Sequence, residues 1–196
     1  MKNKILLLII IATVTFYSCE ESNHIEIEKW ENGNPKITFD FSNLKDSSYT
    51  RFEYYENGKI KSKQDFVKAK LHGKFIKYSD KGFKQYEGDY LNGKKNGIVT
   101  AWYESGKISL QFKYENGLFY DGTEYYEDGW PRVLVKFSAP GKREGVAYYY
   151  EEDGRIWEKG YFKNGKQDSV WTKYNKDGLA IETVTFSNGK RISNAK

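Results

Sequence analysis

Apolar and polar residues alternate along most of this chain in short runs, and each run stops at a turn built around glycine. From Lys107 to Tyr114, the residues Ile108, Leu110, Phe112 and Tyr114 alternate with Lys107, Ser109, Gln111 and Lys113. A period of two places one set on one side of a β-strand and the other in water. One unit earlier, Lys84, Tyr86, Gly88 and Tyr90 occupy the places of Ile108, Leu110, Phe112 and Tyr114. In Ile98 to Tyr103, small and β-branched residues lead into an aromatic pair, which also reads as strand.

The turns recur with a fixed period. Glu31-Asn32-Gly33, Glu56-Asn57-Gly58, Asp80-Lys81-Gly82, Glu104-Ser105-Gly106, Glu127-Asp128-Gly129, Glu152-Asp153-Gly154 and Lys176-Asp177-Gly178 form a first series, with glycines 23 to 25 residues apart. A second series interleaves with it: Asn92-Gly93, Asn116-Gly117, Pro140-Gly141, Asn164-Gly165 and Asn188-Gly189, at a constant spacing of 24. Asn-Gly and Asp-Gly favour two-residue hairpin turns, because glycine and asparagine tolerate the left-handed backbone such turns require. Aromatics keep step with the turns. Tyr54, Tyr78, Trp102, Tyr125, Tyr150 and Tyr174 stand four residues before first-series glycines. Phe66, Tyr90, Tyr114, Phe162 and Phe186 stand three residues before the second-turn glycine place, with Phe137 one position off. Residues one period apart share a face at equal depth, so repeated aromatics predict a stacked ladder as the core. The expected fold is all-β, an elongated antiparallel meander of about seven tandem 24-residue hairpins with about 14 strands.

With these residues in view, the chain resembles a known repeat. The stretch from Asn57-Gly58-Lys59-Ile60 through Leu71-His72-Gly73-Lys74-Phe75, and again Asn92-Gly93-Lys94-Lys95-Asn96-Gly97 leading to Trp102-Tyr103, looks like the bacterial variant of the MORN repeat. The resemblance covers about residues 30–192 and is strongest over 54–117 and 145–190. It weakens at 33–50, which lacks a second Asn-Gly, and at 117–141, where Pro131 and Ala139-Pro140 disturb the register. It implies an elongated sheet of hairpins. It also implies kinship with bacterial members labelled antitoxin components, a family with no catalytic motif to carry over.

The first residues belong to a different pattern. Lys2 and Lys4 precede an apolar run from Ile5 to Phe16, and Cys19, the sole cysteine, follows Ser18. That run is shorter than the ~20 residues a membrane span needs. The layout resembles a bacterial lipoprotein signal, which implies removal of residues 1–18 and a lipid on Cys19. Residues 19–25 would then be the lipidated cysteine and its tether, and 26–196 the repeat domain. An ordinary secretory signal with an incidental cysteine is the alternative. On the first reading the protein sits in the cell envelope, at the outer membrane or cell surface, with the membrane as one partner through its lipid. With no second cysteine, packing alone must stabilise it.

Composition adds exclusions. Aromatics make up 17 % of the chain and charged residues 30 %, with a net charge of +5. A small positive charge dispersed among acids is not a nucleic-acid footprint, so no nucleic-acid partner is expected. The histidines are His24, in the tail after Cys19, and His72, which is expected to fill a turn between hairpins at a position where the next unit has Asn96. No zinc site, cofactor or nucleophile motif is expected. Glu56, Asp80, Glu104, Glu127, Glu152 and Asp153 are periodic, as solvated turn residues are, rather than paired as in a glycosidase. An enzyme is therefore not expected.

Binding is. Tyr55, Tyr103 and Tyr126 follow the first aromatic column on the alternate face, with Trp30, Trp157 and Trp171 elsewhere in the units. Such a row of rings can hold a sugar chain, a peptide or a partner protein. Lys59, Lys61, Lys63 and Lys68 could face anionic lipid or acidic polymer, or simply solvent. The expected function is a non-enzymatic exported lipoprotein acting as a protein-interaction or surface-binding module. The alternatives are an antitoxin- or immunity-like protein neutralising a partner effector, and a polysaccharide-binding surface protein.

Overall fold

The computed structural model describes residues 23–43, 47–138 and 141–195. Cys19, the signal segment and the first part of the tether lie outside them. Among the described residues fifteen strands follow one another: β1 (His24–Lys29), β2 (Pro35–Asn43), β3 (Ser48–Tyr54), β4 (Ile60–Val67), β5 (Lys70–Tyr78), β6 (Lys84–Leu91), β7 (Lys94–Trp102) and β8 (Ile108–Glu115). After these come β9 (Leu118–Glu124), β10 (Val133–Ser138), β11 (Lys142–Tyr150), β12 (Ile156–Lys163), β13 (Lys166–Tyr174), β14 (Ala180–Ser187) and β15 (Lys190–Ala195). Each pairs antiparallel with its sequence neighbours, in one ladder from β1 to β9 and another from β10 to β15. This is the expected all-β meander of hairpins.

The ladders part where proline removes a donor. Between β9 and β10 only the bridge Tyr125–Pro131 pairs, beside an Arg132 N–H to Glu124 carbonyl bond of 2.7 Å. The rings of Phe119 and Phe137, edge to face at 5.0 Å, carry the packing across this break.

The two turn series differ in kind. In the second, Asn92-Gly93, Asn116-Gly117, Asn164-Gly165 and Asn188-Gly189 each hold two left-handed residues, asparagine near φ 50° and glycine near 80°. These are the two-residue turns expected. In the first series only the glycine is left-handed. Gly58 donates its N–H to the Tyr55 carbonyl at 2.9 Å, and Tyr55 donates to the Lys59 carbonyl at 2.9 Å. The same pair of bonds closes all seven loops, so these are three-residue loops ending in a glycine bulge rather than two-residue turns. The hairpin β4–β5 makes its two-residue turn with Lys68 and Ala69, at φ 49° and 58°, without glycine or asparagine. His72 lies inside β5 rather than in a turn, and its buried Nδ1 has no hydrogen-bond partner.

Register slips beside the turns, by one residue between Glu53 and Tyr54 against β4 and by two between Gly88 and Tyr90 against β7. Such bulges bend the strands and strengthen the local twist. Alternation and register then define two faces. An inner row runs Phe39, Arg51, Gln64, Phe75, Gly88, Val99 and Phe112, and an outer row Thr38, Phe52, Lys63, Ile76, Glu87 and Thr100. The buried apolar residues Phe39, Tyr49, Val99, Val135, Ala147, Phe162 and Trp171 all belong to the inner face. The two aromatic columns therefore separate. Phe66 stacks on Tyr49 at 5.1 Å, and Trp171 bridges Phe162 and Phe186, all on the inner face. Tyr54 packs on Phe52 and Tyr150 on Tyr148 on the outer one. Only the second column builds the core.

Gly160 makes room for the largest core ring. A Cβ there would sit 2.1 Å from the Trp171 indole, whose residue is 3 % exposed. Gly160→Ala is expected to lower stability by about 2–3 kcal/mol, read from the urea midpoint of the near-ultraviolet tryptophan signal. In the opposite direction, Lys68→Asn with Ala69→Gly relieves left-handed strain of about 1 kcal/mol per residue and raises the same midpoint.

Candidate binding face

In four of the seven first-series loops, the residue that opens the loop ties one repeat to the next. Trp30, Tyr55, Tyr103 and Tyr126 hold this place, and each reaches across to the backbone of the following unit. The Trp30 Nε1–H donates to the Tyr54 carbonyl at 3.2 Å and the Tyr55 hydroxyl to the Tyr78 carbonyl at 2.9 Å. Tyr103 donates to the Tyr125 carbonyl at 2.6 Å, and Tyr126 to the Tyr150 carbonyl at 2.9 Å. All four are half-buried, so each leaves part of its ring in solvent while its polar atom is held within the fold. Trp157 packs on Tyr149 at 5.6 Å, and Trp171 is buried.

Tyr55 also walls a groove of about 440 Å³ on the inner face between β3 and β6. Phe75 and Tyr78 complete the aromatic walls. Between them lies a bonded polar floor. Arg51 pairs with Glu53 and reaches the Gln64 amide oxygen at 3.4 Å, while the Gln64 amide donates to Ser62 Oγ at 3.0 Å. Lys77 lies 5.2 Å from the Phe75 ring centre and Lys61 5.8 Å from that of Tyr55, which places two cations at the rim of the groove. The groove exists because Ser62 stands where the next two units place Tyr86 and Leu110. The sequence reading identified Tyr55 and missed Gln64, Arg51 and Gln85; the small residue in a column of large ones was the available signal.

A smaller hollow of about 160 Å³ lies in the equivalent region of the second ladder, beside Glu158, Trp171, Lys173 and Glu182. Lys173 binds Glu182 at 2.9 Å and holds that carboxyl below its ordinary range. Glu158 is raised, chiefly by burial, with Lys173 opposing and Glu182 adding to the shift. Among the described residues, no group of three or more His, Cys, Asp or Glu is placed to hold a metal.

With the geometry established, three segments match the MORN repeat variant family: residues 50–68, 95–117 and 143–164. They coincide with strands β3–β4, β7–β8 and β11–β12 and the loops that join them. No curated protein matches the chain. Among solved structures, a TarM mutant of S. aureus in complex with Fondaparinux, alpha-GlcNAc-glycerol and UDP is similar at 14 % identity. The match covers 98 % of this chain but 24 % of that one, with a TM-score of 0.19. Three segments matching this repeat variant, set within two ladders of hairpins, suggest a binding-type module.

The hollow beside Glu158 has a measurable signature. A carboxyl raised by folding opposes stability above its folded pKa, and that cost disappears as pH falls below the unfolded value. Glu158→Gln is expected to raise the urea midpoint at about pH 7 and to leave it unchanged at about pH 4.

Proposed function

We propose that this protein is a non-enzymatic interaction module, exported and held in the cell envelope by a lipid on Cys19, that receives a partner protein in the groove between β3 and β6. The observation that carries this reading is the polar floor of Glu53, Gln64 and Ser62, braced by Arg51, under the rings of Tyr55, Phe75 and Tyr78. Its groups are fixed by neighbouring strands before any partner arrives, which reduces the ordering cost of binding. The aromatic walls supply apolar contact, and the exposed Lys61, Lys77 and Gln85 form a polar margin, the usual division of labour at an interface. The anchor rests on the sequence alone, on the apolar run from Ile5 to Phe16 and the cysteine behind it.

A photo-crosslinking residue placed at Gln85 in intact cells is expected to trap one discrete partner, and the same residue at Lys113 on the outer face none. Equal trapping at both positions would remove the groove from the account. The anchor is checked separately by mass spectrometry of the mature N-terminus, where an unmodified peptide spanning Tyr17 to Glu21 would refute it. A polysaccharide is the second reading, favoured by the amides of Gln64 and Gln85 and the Glu53 carboxylate between aromatic walls, a pairing of polar groups and ring faces that suits sugar rings. Retention on a glycan array that Gln64→Ala abolishes would select it.

A further inference from the structure

The two rims of the sheet carry opposite charge with the same period. The residue two before the glycine is acidic in six of the seven first-series loops: Glu31, Glu56, Asp80, Glu104, Glu127 and Glu152. On the opposite rim the residue following the turn is a lysine in five of seven turns, at Lys70, Lys94, Lys142, Lys166 and Lys190, with Ser48 and Leu118 the exceptions. All eleven charged residues are exposed. None of these lysines makes an ion pair with a described residue, and of the acids only Glu104 does, with Lys81 at 3.2 Å. The bases that share the acidic rim are partly engaged there. Lys59 donates to the Lys81 carbonyl, and Arg155 binds Asp153 and the Lys176 carbonyl.

Successive turns on a rim are stacked. The position of a Gly117 side chain lies 3.4 Å from Lys94, that of Gly165 3.6 Å from Lys142, and that of Gly189 3.6 Å from Lys166. Turns on one rim are two strands apart, about 9.6 Å, and the same hairpins set the spacing on both rims. Hence the acidic row of one molecule matches the basic row of another in pitch as well as in sign.

We propose that this chain associates side by side with a second copy of itself, the lysine rim of one molecule lying along the acidic rim of the next. One exposed pair contributes at most about 1 kcal/mol, so the contact depends on several pairs meeting in register. Equal pitch meets that requirement, and an irregular protein surface does not. The contact joins two different surfaces, so it leaves one free rim of each sign and extends into open rows rather than closing as a dimer.

The test mixes ordinary and heavy-nitrogen full-length chain and couples carboxylates to amines with a zero-length carbodiimide. Isotopically mixed cross-links joining Glu56, Glu104 or Glu127 peptides to Lys94, Lys142 or Lys166 peptides are expected. Their yield should fall at least about fivefold from about 0.1 M to about 1 M salt, as the screening length shrinks from about 10 Å to about 3 Å. Lys94→Glu, Lys142→Glu and Lys166→Glu together should abolish self-coupling. Mixing that variant with one carrying Glu56→Lys, Glu104→Lys and Glu127→Lys should restore it between the two. Absence of mixed cross-links from folded chain, or cross-links unchanged by reversal of either rim, would overturn the proposal. So would retention on polyphosphate without any self-coupling.

Discussion

A donor on the side chain that opens one loop meets a backbone carbonyl at the start of the next, and the rest of the molecule depends on that contact. Trp30, Tyr55, Tyr103 and Tyr126 make it with an indole or phenol, and Asn32 and Asn57 add side-chain bonds to the carbonyls of Glu56 and Asp80. The opposite rim repeats the arrangement with backbone groups. Gly93, Gly117, Gly165 and Gly189 donate to the carbonyls of Leu71, Lys95, Arg143 and Gln167, one turn back. Among the described residues no second layer covers the sheet, so its rings are buried against the neighbouring repeat, and turns that hold that neighbour at a constant distance allow the core to form. The buried Nδ1 of His72 stands where Asn96, Glu144 and Asp168 in the later units accept the N–H of Asn116, Asn164 and Asn188, which marks a unit with a weaker clasp.

The inner face follows from that spacing. Stacked rings run from Phe39 through Tyr49 and Phe66, resume at Phe75 and Tyr90, and end at Trp171 and Phe186. Where a ring is missing the face opens. Ser62 leaves the groove whose walls are Tyr55, Phe75 and Tyr78, and the charged set of Glu158, Lys173 and Glu182 leaves the smaller hollow in the second ladder. Candidate sites in this protein are thus interruptions of its own packing pattern. A departure from the repeat carries more functional information than the repeat itself.

Strand order, hairpin topology and most turn positions were legible in the residues, because each depends on local chemistry. Glycine permits a left-handed backbone wherever it occurs, and alternation commits a run of residues to strand regardless of what lies beyond it. The weak point at 117–141 was legible for the same reason, since Pro131 lacks an N–H in any context. What the residues could not show was which face each column joins. Strand pairing places Tyr54 with Phe52 on the outer face and Phe66 with Tyr49 on the inner one, so two columns that looked alike in sequence do different work.

The role of Tyr55, Tyr103 and Tyr126 shows where sequence reasoning ends. Their spacing and aromatic character determined that they hold the same place in their units. Only the folded sheet decided that their hydroxyls bind the next unit's carbonyls, because that contact joins atoms more than twenty residues apart through the separation of stacked hairpins. Likewise, the alternation of acidic loops with lysine-bearing turns is present in the sequence as a mixture of signs with a net charge of only +5. The antiparallel meander sorts that mixture, since it sends alternate turns to opposite rims and thereby separates charge that the linear chain interleaves.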